Sequence, residues 1–201
     1  GVPADATAVV VNVTSVVSAG NGYVTVVPAG ASGTQTSSVN HQPGGNVANR
    51  ATVALSGGAL DVVVGGAASD VVLDVVGWYG PGGTARFTPV APVRAFDTRL
   101  AGGPLAAGES RTFAVGVPAG LPAGTVAAVM TLTATQQTSP MTYLTAWPAG
   151  AARPGTSDLN TGRGRDQANS AVVGLGTGAS VQVYNDLGTT QVIGDVLGYF
   201  R

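Results

Sequence analysis

Apolar residues fall in short runs along the chain, and Gly, Pro, Asn and Ser break the runs at regular intervals. The pattern predicts strands near 6–14, 22–28, 36–41, 50–56, 59–64 and 69–78, and again near 125–135, 141–147, 155–160, 170–175, 179–185 and 190–199. Strand signals about 8–12 residues apart, with turn residues between them, point to a sandwich or a barrel. No window of helical length holds a sustained 3.6-residue apolar period. The runs 9–13 and 71–76 lack clean alternation. They read as central strands covered on both faces, or as strands near a domain contact.

The two sets of strands are copies of one another. Residues 3–79 align with 122–200 through two small gaps. Pro3-Ala4 matches Pro122-Ala123, Tyr23-Val24-Thr25 matches Tyr143-Leu144-Thr145, and Pro28-Ala29-Gly30 matches Pro148-Ala149-Gly150. Asn40 matches Asn160, and Ala48-Asn49 matches Ala168-Asn169. Asp74-Val75-Val76-Gly77-Trp78-Tyr79 matches Asp195-Val196-Leu197-Gly198-Tyr199-Phe200. Self-similarity in this order and spacing marks a tandem repeat. The expected fold is all-β, with two tandem homologous antiparallel β-sandwich units of jelly-roll or Ig-like type. The first spans 1–80 and the second 81–201.

Between the copies, Gly80-Pro81-Gly82-Gly83 reads as a linker. Further strands are expected at 86–90, 93–96 and 109–117, so the second copy has a leading piece, 86–117, that the first copy lacks. Gly116-Val117-Pro118-Ala119 echoes Gly1-Val2-Pro3-Ala4. If the leading strands belong to each unit, the first copy exposes strand edges and part of an apolar face. Three resolutions are open. Segment 86–117 packs on the first copy, a neighbouring chain supplies the missing strands, or the chain is part of a longer array.

Composition narrows the chemistry. The 201 residues include 31 Gly, 12 Pro and 32 Val, one His, no Cys and no Lys. Charged residues are 9% of the chain, against about 25% in an ordinary soluble domain. Without Cys there is no disulfide framework and no thiolate metal or redox site. A net charge of −1 with no basic cluster gives no nucleic-acid footprint. The apolar runs are far shorter than the roughly 20 residues of a helical membrane span, so no membrane insertion is expected. Neither a cofactor nor a metal site is expected. With Val abundant and Ile and Lys scarce, the imbalance suggests a GC-rich genome. The chain opens without Met, as a mature or excised product does.

Several segments carry a family resemblance. They are Arg86-Phe87-Thr88-Pro89, Pro92-Val93-Arg94, Asp97-Thr98-Arg99 and Val117-Pro118-Ala119, the Tyr-x-Thr-x-x-Pro-Ala-Gly segments at 23–30 and 143–150, and the Asp-Val-x-Gly-aromatic endings at 74–78 and 195–199. Together they resemble repeat modules of secreted actinobacterial surface proteins. The resemblance covers essentially the whole chain and carries no catalytic residue set. It implies an extracellular, non-catalytic building block at the cell surface.

Candidate residues fall into three groups. Asp74 and Asp195 repeat inside apolar strands, where a carboxylate needs a partner. Either serves as a catalytic or calcium-binding acid, or each forms a framework ion pair, and the repetition favours the framework. Arg94 and Arg99 are natural partners, and Asp97-Thr98-Arg99 reads as a turn lock. Carbohydrate binding is the alternative function, through Trp78, Tyr79, Tyr143 and Trp147, since flat rings stack on sugars. Trp147 stands where the first copy has Val27, so exposure is open to it. The competing reading, preferred in a chain so poor in aromatics, is that these rings fill the core or a contact. His41 has no triad partners and reads as a loop residue.

The leading expectation is therefore a non-enzymatic fibre or surface-layer subunit that assembles with itself through exposed β-edges, with cell-wall polysaccharide as the other candidate partner. The segments 1–14 and 86–117 are the expected assembly elements. Within them the candidate contact residues are Val9, Val11, Val13, Phe87, Val93, Phe96, Phe113 and Val115.

Overall fold

A computed structural model describes residues 1–32 and 36–201. The described residues hold fourteen strands and no helix. The chain divides into two compact units, Gly1–Gly83 and Thr84–Arg201.

The first unit contains β1 (Ala8–Val16), β2 (Gly22–Pro28), β3 (Val39–His41), β4 (Val47–Ala54), β5 (Leu60–Gly66) and β6 (Asp70–Tyr79). They form two three-stranded sheets, ordered β4-β1-β6 and β3-β2-β5. The second unit begins with β7 (Phe87–Asp97) and β8 (Ser110–Ala114). It continues with β9 (Ala127–Thr135), β10 (Thr142–Pro148), β11 (Leu159–Thr161), β12 (Gln167–Gly174), β13 (Ser180–Asn185) and β14 (Gln191–Phe200). Its sheets have four strands each, ordered β12-β9-β14-β7 and β11-β10-β13-β8. All pairings are antiparallel. The chain is thus all-β, with two sandwich units.

Each core lies between its two sheets. Val9, Val11 and Val13 of β1 meet Val24 and Val26 of β2 in the first unit. Met130 and Leu132 of β9 meet Leu144 of β10 and Val181 and Val183 of β13 in the second. Val dominates because its branched Cβ fits a pleated surface covered by a second sheet. Burying one such side chain is worth about 1.5–3 kcal/mol.

Two expectations are corrected here, one about assembly and one about strand position. Val9, Val11 and Val13 are enclosed, because β1 is the middle strand of its sheet and has no free edge. Val115 is also fully buried. None of these four offers a surface to a second chain. The run 71–76 is not central: it belongs to β6, at the edge of its sheet, and its exposed and covered positions interleave.

Strand boundaries differ in instructive ways. The separate strands expected at 86–90 and 93–96 are one strand, β7, running through Pro89 and Pro92. Proline lacks a backbone N–H, and β7 tolerates it because it is an edge strand paired on one side only. The pairing shifts register between Val196 and Gly198, opposite the stretch that holds both prolines, and again between Gly194 and Asp195, opposite Ala95. The strand expected at 109–117 stops at Ala114. Beyond it the backbone turns, with the Ala119 and Leu121 N–H groups donating to the Val115 and Gly116 carbonyls. The third strand of each copy is only three residues long.

One backbone feature repeats. The residue after β1, Val17, has φ of 44°, and the residue after β9, Gln136, has φ of 56°. A β-branched residue is poorly suited to this left-handed region. Val17 is exposed and its N–H donates to Asn46 Oδ1 at 3.2 Å, a bond that a new side chain leaves in place. Val17→Asn is expected to stabilise the first unit by about 0.5–1 kcal/mol. Thermal unfolding followed by far-UV circular dichroism checks this, and a lower melting temperature refutes it.

Candidate functional site

The repeat supplies an internal comparison. β1 to β6 correspond in order to β9 to β14, so β5 corresponds to β13 and β6 to β14. In the second unit, β8 covers the outer edge of β13 and β7 covers the outer edge of β14. In the first unit, among the described residues, β5 pairs only with β2 and β6 only with β1. Two adjacent edges therefore present backbone N–H and C=O groups with no strand beside them, as edge strands do when left uncovered.

Side-chain burial follows the missing strands. Val62 is 39% exposed, Val64 40%, Val72 46% and Val75 53%, whereas their counterparts Val183, Asn185, Ile193 and Val196 are 0%, 0%, 5% and 0% exposed. Val62 and Val64 share one face of β5, the face that in β13 is closed over by the leading segment. The first unit thus carries an apolar surface at positions that its sister unit seals. The leading segment 86–117 belongs to the second unit, where its two strands pair.

Four devices hold that segment in place. Phe87 lies over Gly198, close enough that a Cβ there would sit 2.5 Å from the ring, and its centroid is 5.4 Å from that of Phe200. Phe96 occupies the space over Gly194, where any Cβ would overlap its ring, and stacks on Phe113 of β8 at 4.2 Å. Thr98 is tied to β14 through both its backbone and its side chain: its N–H donates to the Val192 carbonyl, and Val192 N–H donates to Thr98 Oγ1 at 2.8 Å. Leu105 is fully buried, and Asn185 Nδ2 donates to the Leu105 and Ala106 carbonyls at 3.3 and 3.1 Å.

The charges lie in the same segment. Asp97 is buried and accepts from Arg99 Nη2 at 2.6 Å, Arg99 Nε at 2.9 Å, Arg99 N–H at 3.0 Å and Arg94 Nη1 at 2.7 Å. The Arg99 hydrogen bonds, above all, lower its pKa from 3.8 to about 2. Arg94 also reaches Asp195, donating through Nε at 2.5 Å. Asp195 is only half-buried, so this outer pair is screened by water. Glu109 accepts from the Ala106 N–H and from Arg111, which hold its carboxyl below the usual range. Of the expected partners, Arg94 and Arg99 gather on Asp97 and Asp195. Asp74 lies on β6 of the first unit, opposite Asn12.

The candidate sugar-binding rings fall in both units, Trp78 and Tyr79 in the first and Tyr143 and Trp147 in the second. Trp147 is buried, with Nε1 donating to the Ala151 carbonyl at 3.0 Å, so the exposure open to it from sequence is not realised. Trp78 packs against the core of the first unit. Tyr79 ends the open strand β6 and is exposed. Tyr143 lies 5.9 Å from Tyr184, and the Arg153 guanidinium sits 3.7 Å from the Tyr184 ring centroid. Burial raises the Tyr143 hydroxyl pKa. His41 is buried on β3 rather than in a loop, with Nδ1 3.2 Å from the Gly20 carbonyl.

Comparison of the chain with family models, curated proteins and solved structures gave no match.

Sequence reasoning passed over the positions that decide the site. The alignment pairs Leu73 with Gly194 and Val64 with Asn185, and keeps glycine at 77 and 198. Each contrast was visible, yet nothing in the strings says that an aromatic ring lies over residue 194.

Neutralising Asp97 frees Arg99 and leaves Arg94 held by Asp195 alone. Asp97→Asn is expected to lower the melting temperature of the second unit and to speed amide exchange along β7. For the native chain the sign follows from the lowered pKa. The stabilisation is complete above the ordinary pKa of 3.8 and is lost as pH falls toward 2. It is on the order of 1 kcal/mol after screening by water around the exposed arginines. An unfolding midpoint of the second unit that stays flat between pH 4 and 2, or that falls equally in Asp97→Asn, refutes the assignment.

Proposed function

We propose that this protein is a structural module of an extracellular surface assembly, associating through the open edges of β5 and β6. The supporting observation is that four edge positions of the first unit are 39–53% exposed where their second-unit counterparts are 0–5% exposed. Uncovered edges beside apolar surface are templates for strand addition. Proteins that stay apart blunt such edges with charge, often Lys, or with Pro. The chain has no Lys, and the only charged residues on β5 and β6 are Asp61, Asp70 and Asp74. Strand addition has a defined geometry and needs no catalytic group. The resemblance to secreted actinobacterial surface modules fits this role.

A glycan-binding role has less support, because Trp147 is internal and Trp78 lies against the core.

Assembly is tested with the native chain by light scattering and negative-stain electron microscopy over a concentration series. The native chain is expected to associate as concentration rises, and the double variant Val62→Lys/Val75→Lys is expected to stay monomeric with the second unit's melting unchanged. A native chain that remains monodisperse at high concentration overturns the reading.

A further inference from the structure

The second unit shows what closes an edge of this kind, and the first unit differs from it at positions that define the occupant. Transferring the β14–β7 register to β6 sets the occupant's residues opposite defined partners. The position held by Pro89 falls opposite Gly77, that of Val93 opposite Val75, and that of Phe96 opposite Leu73.

At Gly77 the fit is retained. A Cβ there would meet nothing within 4 Å, whereas at Gly198 it would run into Phe87. Glycine weakens a strand interior and often marks the close approach of another group. Keeping it in β6 preserves the space for an aromatic ring.

At residue 73 the fit is altered. Even one carbon added at Gly194 would overlap the Phe96 ring, and the first unit has a whole leucine at this place. Leu73 packs against its own core and takes up volume that Phe96 fills in the second unit. At β5, Val64 stands where Asn185 grips two carbonyls, so the contact there is apolar.

We infer that the first unit is completed by a strand pair of the β7–β8 type, with an aromatic residue at the place of Phe87 and a small one at the place of Phe96. The occupant is thus a related module's leading segment rather than an identical copy of 86–117. This rests on the reading that the edges of β5 and β6 take up strands. It adds which strands fit, and it separates a matched neighbour from indiscriminate edge pairing.

The chain itself offers a way to present the occupant. In the second unit the leading segment reaches β9 through Gly120-Leu121-Pro122-Ala123, and the first unit begins Gly1-Val2-Pro3-Ala4. Residues 84–119 fused ahead of Gly1 therefore reproduce the spacing of the second unit.

Two such fusions of the full chain are compared, one with the native segment and one with Phe96→Ala in the added segment alone. Each is also made with Leu73→Gly. The readouts are amide exchange along β5 and β6, the melting of the first unit and self-association, with the second unit as internal control. With Leu73 present, the Phe96→Ala fusion is expected to slow exchange along β6 at least ten-fold, and the native fusion much less. With Leu73→Gly, the native fusion is expected to protect as well or better. No protection from either fusion overturns the inference, even if the native chain self-associates. Equal protection by both fusions in both backgrounds overturns the size selection. Protection by the Phe96→Ala fusion in a chain that never self-associates leaves the inference standing and removes the self-assembly reading alone.

Discussion

A two-sheet sandwich is closed only where both sheets are wide enough to cover the apolar layer between them. That constraint organises this chain. Three strands per sheet are enough to build a valine core around β1 and β2, yet they leave Val62, Val64, Val72 and Val75 partly in water. A fourth strand on each sheet brings the equivalent positions of the second unit to near-complete burial. With a buried valine worth about 1.5–3 kcal/mol, and two strand edges capped besides, closing the first unit offers a driving force of several such contributions.

The second unit shows how closure is made specific. Apolar burial alone tolerates many partners of about the right volume. Phe87 over Gly198 and Phe96 over Gly194 impose shape, because two rings sit where no side chain could coexist with them. The Asp97 cluster adds direction: a buried carboxylate holding Arg94 and Arg99 secures the end of β7, while Thr98 exchanges hydrogen bonds with Val192. Removing one partner of such a buried group costs more than the pair contributes, so the cluster penalises loosening. The first unit keeps the glycine of the first aromatic contact and fills the space of the second. It retains the architecture while changing the lock.

Much of the fold was legible because its signals are local or repeated. Alternating apolar positions separated by Gly and Pro place nearly every strand, and self-alignment pairs β1 to β6 with β9 to β14. Errors arose where pairing overrides composition. The runs 9–13 and 71–76 look alike as strings, but β1 lies between two neighbours and β6 at an edge. Pro89 and Pro92 look like breaks, but an edge strand with register shifts absorbs them. Trp147 is buried, as the preferred reading of the rings expects, and the carbonyl of Ala151 shows how its indole N–H is satisfied there.

The sequence by itself determined the strand class, the duplication and the presence of a further segment, 86–117, between the copies, since these depend on periodicity and on self-similarity along the chain. The tertiary structure decided which copy owns that segment, which strands are edges, and that Leu73 stands where its sister unit has a glycine under a phenylalanine ring. Those outcomes rest on hydrogen-bond partners and ring positions between residues about a hundred places apart in the chain, such as Phe96 and Gly194. Such pairings leave no local mark, because each is a property of two strands brought together and not of either strand alone.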